Sequence, residues 1–322
     1  MTVTEKKPVL HPVYAALCEE AKKGPLMADI PVPELRAGSD ALAQLQTPSL
    51  PKVHTVGKKI TVNGREIDVI ILRPLGTETT ELPVILYLHG GGWVFGSRHT
   101  HGKTIHDLCV RSQMAVVFVE YSLAPEETFP VAHEECYSTL QWLVDNHASL
   151  YINPNKIALA GDSAGGNMTA GLSIVAKKRG LNAIRAQVLI YPCITGNREN
   201  LDSYKLYGNG EYLITGADAE KLLSKYFVKP PNDLKDVLAT PDIATKEELT
   251  GLPSALVIIA ECDILRGEAE AYARQLTEAG VDTAAVCIMG TIHGFLSHPI
   301  ETPQYHLAIG LIVDHIARAF AQ

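Results

Sequence analysis

The chain has 322 residues, 46% hydrophobic and 20% charged, enough for one large α/β unit with an elaboration or for two domains. Its 28 basic and 36 acidic residues leave a formal charge of −8, a field that does not attract phosphate backbones and argues against a nucleic-acid partner. The longest apolar runs, such as 114–119 and 255–260, fall well short of the roughly 20 residues of a membrane span, and no apolar h-region follows the polar start. The expectation is a cytoplasmic protein without stable membrane insertion.

In chain order, residues 1–50 carry two weakly helical stretches, 12–23 and 33–45, with a breaker segment from Gly24-Pro25 to Pro31 between them. That is too little for an independent domain. Segments 59–62 and 67–73, split by Asn63-Gly64, read as a β-hairpin. Apolar strands follow at 84–88, 115–120, 157–160, 186–191, 256–260 and 283–289. They alternate with helical patterns at 104–112, 132–146, 165–179, 267–279 and 304–320. Such alternation predicts an α/β fold, a mostly parallel central sheet with helices on both faces. Between 195 and 238 the alternation lapses, with one helix expected at 217–226. The division expected is an N-terminal cap segment, 1–50, then a first core part, 51–194. A cap insertion over the carboxyl ends of the strands, 195–238, and a second core part, 239–322, complete it.

The run from Lys156 to Asn167 is strand, tight turn, then helix, and Gly161-x-Ser163-x-Gly165 fits a nucleophile elbow. The turn is so sharp that side chains two residues either side of the serine would collide with backbone. The helix N-terminus adds N–H groups and a dipole that favours negative charge.

The strand at 84–88 runs into His89-Gly90-Gly91-Gly92-Trp93. Three glycines are costly in backbone entropy unless the backbone must approach a ligand closely. Their N–H groups, with that of Ala164, could converge on the oxygen of a tetrahedral intermediate. No Lys at Walker spacing and no G-x-G-x-x-G pattern supports a nucleotide loop instead. His89 is expected to orient this loop.

Ser163 needs a base, and the base an orienting carboxylate, each on a strand-end loop in the order Ser, Asp or Glu, His. After 256–260 come Glu261 and Asp263; after 283–289 come His293 and, further on, His298. Asp263 and His293 fit best, with Glu261 and the more distant Asp242 as rival carboxylates. His306 and His315 belong to the terminal helix. The cluster His99, His101 and His106 lacks a completing ligand beyond Asp107, so no metal is expected. Cys18, Cys109, Cys136, Cys193, Cys262 and Cys287 form no C-x-x-C pair and read as reduced core thiols.

With these motifs the sequence resembles the hormone-sensitive-lipase-like family of α/β-hydrolases, in the subgroup with Asp before the nucleophile. The match takes in His89-Gly-Gly-Gly-Trp93, Tyr121-x-Leu123-Ala-Pro-Glu126 and Gly161-Asp-Ser-Ala-Gly165-Gly166-Asn167, with Asp263-x-Leu265-Arg266 and His293-Gly-Phe295. The resemblance implies an α/β-hydrolase fold with a helical cap and a serine carboxylesterase acting on short- to medium-chain esters. It implies the triad Ser163, Asp263 and His293, with oxyanion N–H groups from Gly91, Gly92 and Ala164. Gly90 is the less certain member and, with His89, supports the loop. No cofactor is called for, and the expected partner is a small-molecule ester.

Two positions depart from the family pattern: Ser122, where Arg is usual, and Gly267, where an acidic residue is usual. Amidase, deacetylase or lactonase chemistry would use the same site, and a non-catalytic receptor would need a lost triad member. A lipase is disfavoured because no strongly apolar lid helix is visible. Met27, Tyr204, Tyr207, Tyr212 and Phe227 are candidates to line the pocket. The apolar segment 284–289 is a candidate edge strand for a homodimer.

Overall fold

The computed structural model describes residues 7–45, 50–62, 64–198, 200–298 and 300–322. Among them, β1 (His54–Val62), β2 (Arg65–Arg73), β3 (Leu82–Leu88), β4 (Ala115–Glu120), β5 (Ile152–Asp162), β6 (Ile184–Ile190), β7 (Ser254–Cys262) and β8 (Thr283–Ile292) form one sheet. Its order is β1-β2-β4-β3-β5-β6-β7-β8. The β1–β2 and β2–β4 pairs are antiparallel, and every later pair is parallel. The hairpin closes through Gly64 at φ 77°, while Asn63 lies outside the described residues. Strands buried on both faces must be apolar throughout, and β3 obeys this from Val84 to Leu88, each residue fully buried.

Helices cover both faces: α1 (Pro12–Ala21), α2 (Val32–Leu45), α3 (Gly102–Ser112), α4 (Val131–Asp145), α5 (Ala164–Lys178), α6 (Asp202–Tyr207), α7 (Gly216–Tyr226), α8 (Pro230–Asp233), α9 (Lys246–Leu249), α10 (Arg266–Glu278) and α11 (Pro303–Ala319). Alternate residues of β7 separate the layers. Val257 and Ile259 pack with α5 and α10, whereas Leu256 and Ile258 join the cluster that holds Ile309 and Ile312 of α11. Among its described residues, segment 195–238 holds three helices rather than one. The two missed, α6 and α8, are six and four residues long, too short to leave a helical period in the sequence.

The N-terminal helices and the insertion meet over the carboxyl ends of the strands. Ala28 N–H donates to Asp218 Oδ1 at 2.9 Å, and Asp218 also closes a capping box with Thr215 at the start of α7. Arg36 of α2 reaches the core with Nε on Val94 O and Nη2 on Ala124 O, both at 2.8 Å, and is bidentate to Glu126. No helix among the described residues is long and apolar enough to cross a membrane.

Candidate active site

The chain leaves β5 at Asp162, turns through Ser163 at φ 54° and ψ −116°, and enters α5 at Ala164. A positive φ is rare for a residue with a side chain, so neighbouring contacts have to impose it. A Cβ on Gly165 would lie 1.9 Å from Leu88 O, and one on Gly161 would lie 2.3 Å from Gly165 O. The glycines therefore permit a turn that the packing against β3 then holds. Ser163 N–H donates to Ile190 O at 2.8 Å, and Cys193 N–H donates to Ser163 O at 3.2 Å.

The β7–β8 register pairs Cys262 with Ile292, so the next residues, Asp263 and His293, leave adjacent strand ends together. His293 Nδ1 lies 2.7 Å from Asp263 Oδ2, and Nε2 lies 2.9 Å from Ser163 Oγ. With Nδ1–H given to the carboxylate, Nε2 is left to accept the serine proton. Burial pushes the His293 pKa down, but the charge and hydrogen bond of Asp263 outweigh it and hold the group above the ordinary imidazole value. Asp263 Oδ1 accepts from Leu265 N–H at 2.9 Å. The rival carboxylates lie elsewhere. Glu261 Oε2 accepts from Gly290 N–H at 2.6 Å, and the Asp242 carboxyl faces Thr195, with its pKa raised by burial. His298 lines the pocket, with its pKa lowered to about 4 by burial and by His293.

The glycine loop stands beside the serine. Gly91 has φ 110°, and a Cβ there would meet Phe95 O at 2.1 Å, so the tight turn admits glycine alone. Gly90 N–H is taken by Asp162 Oδ1 at 3.0 Å, which leaves Gly91, Gly92 and Ala164 N–H as candidate oxyanion donors. Asp162 also accepts from Tyr87 Oη at 2.9 Å, and its Oδ1 lies 3.2 Å from His101 Nε2. Burial raises the Asp162 pKa, but the His101 charge and the hydrogen bonds prevail and it ends below the usual carboxylate range. His89 packs its ring on Tyr121 at 4.1 Å, and its Nδ1 lies 2.7 Å from Gly90 O. Burial and the His101 charge bring its pKa down to about 3, so its ring is neutral.

Sequence reasoning missed the Asp162–His101 pair, because its members lie 61 residues apart; the histidine cluster was the available signal. Those histidines diverge: His101 faces Asp162, His106 Nδ1 bonds Pro51 O, and His99 is exposed. Missed too was a buried relay between core and insertion. His133 Nε2 lies 3.1 Å from Asn167 Oδ1, and its Nδ1 lies 2.8 Å from Tyr226 Oη.

A cavity of about 210 Å³ opens onto Ser163, with Met27, Leu42, Leu213, Leu222 and Leu223 on its outer wall. Of the aromatic candidates, Tyr207 and Tyr212 pack on each other and Phe227 packs on Trp93, away from the lining. The two family departures have local replacements. Ser122 binds Glu135 through N and Oγ, while Arg65 of β2 brings a guanidinium within 3.6 Å of the same carboxylate. Gly267 donates its N–H to Ser203 Oγ at 3.2 Å, so α6 packs where a side chain would project.

Residues 85–297 match the family described as the alpha/beta hydrolase fold. The chain is 33% identical to an arylesterase of Saccharolobus solfataricus, covering 88% of this chain and 90% of that one. It is 32% identical to a carboxylesterase of Mycobacterium tuberculosis, over 86% and 87% of the two chains. A solved fungal esterase from Rhizomucor miehei superimposes with a TM-score of 0.94 at 45% identity, over 98% and 99% of the chains. The chain belongs to the α/β-hydrolase family, in its hormone-sensitive-lipase-like carboxylesterase branch.

Proposed function

We propose that this carboxylic ester hydrolase works by two-step acyl transfer from Ser163, with His293 as general base and acid and Asp263 as its orienting partner. The observation that carries the reading is the unbroken chain from Ser163 Oγ through His293 to Asp263, at 2.9 and 2.7 Å, on a turn strained at the serine. His293 Nε2 takes the hydroxyl proton as Oγ attacks the ester carbonyl. The Gly91, Gly92 and Ala164 N–H groups hold the oxyanion, each worth roughly 10² to 10³ in rate. His89 and Gly90 keep that loop in place. His293 returns the proton to the leaving alcohol, and water then repeats the sequence on the acyl-enzyme.

Segments 1–50 and 195–238 act as the cap that bounds the substrate. Its α7 packs on the glycine loop, where a Cβ on Gly92 would lie 3.2 Å from Leu222 Cβ, which favours short- to medium-chain acyl groups. The edge position of β8 supports pairing of two copies. The test of the nucleophile is Ser163→Ala assayed on p-nitrophenyl butyrate. Turnover is expected to fall by on the order of 10⁴ to 10⁶; retained turnover would overturn the assignment.

A further inference from the structure

We propose that Arg198 makes a carboxylate-binding corner in the catalytic pocket, so that the enzyme accepts esters whose acyl group carries a second, anionic end. This rests on the esterase reading above and names a substrate class for the same site. Arg198 follows β6, and its side chain is 12% exposed and lines the cavity that opens onto Ser163. Its Nη2 donates to Cys193 Sγ at 2.9 Å, and Cys193 N–H in turn holds the carbonyl of Ser163. One residue therefore separates the guanidinium from the nucleophile.

A guanidinium has five N–H donors, and a thiol sulfur is a weak acceptor for one of them. Glu268 Oε2 stands 3.3 Å from Nε, yet neither atom has a hydrogen-bond partner among the described residues, and the buried Tyr204 hydroxyl beside them has none either. Glu268 is an incomplete counter-ion. Its Oε1 accepts from Ile194 N–H at 2.7 Å, and burial, against the pull of Arg198, raises its pKa to about 7. Apart from Ser39, the other cap residues that line the same cavity are apolar. A cation with unused donors in such a place carries a desolvation cost that a planar, two-oxygen anion offsets best. A half-ester of a dicarboxylic acid brings that group into the pocket with its scissile carbonyl.

Ethyl butyrate and monoethyl succinate differ by a carboxylate in place of the terminal methyl, so the ratio of their kcat/KM values reads the corner directly. Wild type is expected to handle the two within about tenfold of each other. Arg198→Met is expected to lower the succinate-to-butyrate ratio tenfold or more, through KM, and Arg198→Lys, which returns the charge without the fork, to restore only part of it. Because Arg198→Met leaves Glu268 buried without its cation, the Arg198→Met/Glu268→Gln double variant is measured beside it and should show the same fall. A structural role would scale both esters together and leave the ratio unchanged, which would overturn the proposal. Wild-type turnover of ethyl butyrate with none of monoethyl succinate would overturn it as well. Failure on both esters would instead overturn the esterase reading, and this proposal with it.

Discussion

His293 stands between two opposed electrostatic demands, and their balance makes a prediction. Burial favours its neutral form, whereas the Asp263 carboxylate 2.7 Å away favours the imidazolium more strongly, so its pKa is raised. A base must be neutral to accept the Ser163 proton, so activity is lost as pH falls through that raised pKa. The acid limb of kcat/KM should therefore have its midpoint above the ordinary imidazole value of about 6.5. Asp263→Asn removes the opposing charge and leaves the desolvation. The acid limb should then move to lower pH while kcat falls by on the order of 10⁴, because the tautomer is wrong. A pH profile of both proteins on one ester checks this; an unmoved limb in the variant would contradict it. In the sequence Asp162 is a neighbour of the serine, and its work of anchoring Gly90 N–H depends on Tyr87 and His101, which only folding brings to it.

Among the elements, α7 is expected to bear most on substrate choice. Its Leu222 is buried against the glycine loop, and Leu222 and Leu223 both line the pocket. An acyl series from acetate to laurate should give kcat/KM highest at short to medium chains. Leu222→Ala should shift that optimum to longer chains, at a stability cost of about 2–5 kcal/mol measured separately by thermal unfolding. An optimum that stays put would remove α7 from the pocket wall. The helix itself was visible in the sequence at 217–226, because eleven residues suffice to show a period. The short helices α6 and α8 were not visible. Strand β5 likewise begins at Ile152 rather than 157, since Asn153-Pro154-Asn155 reads as a turn until Ile152 is seen paired with Leu82.

For the molecule as a whole, the convergence of Ser163, Asp263 and His293 was legible from their order along the chain, because strand ends in a parallel sheet bring distant loops to one edge. The cap residues that touch the pocket were not, since packing between two remote segments decides which side chains turn inward. The sheet ends at β8, where Met289 is 65% exposed and Ala284 and Ala285 are also exposed. His11 N–H covers the end of this edge at Gly290 O, but the exposed apolar stretch before it invites pairing, so a dimer is expected in sedimentation at micromolar concentration, with Met289→Lys shifting it toward monomer. A wild-type monomer under those conditions would contradict that expectation. Ser163 is expected to act as a nucleophile activated by His293. Labelling with a fluorophosphonate, followed by peptide mass spectrometry, tests that role. One adduct per chain on Ser163, lost in Ser163→Ala and strongly slowed in His293→Ala, is the result expected. A modification at another residue, or labelling of Ser163 at the same rate without His293, would contradict it.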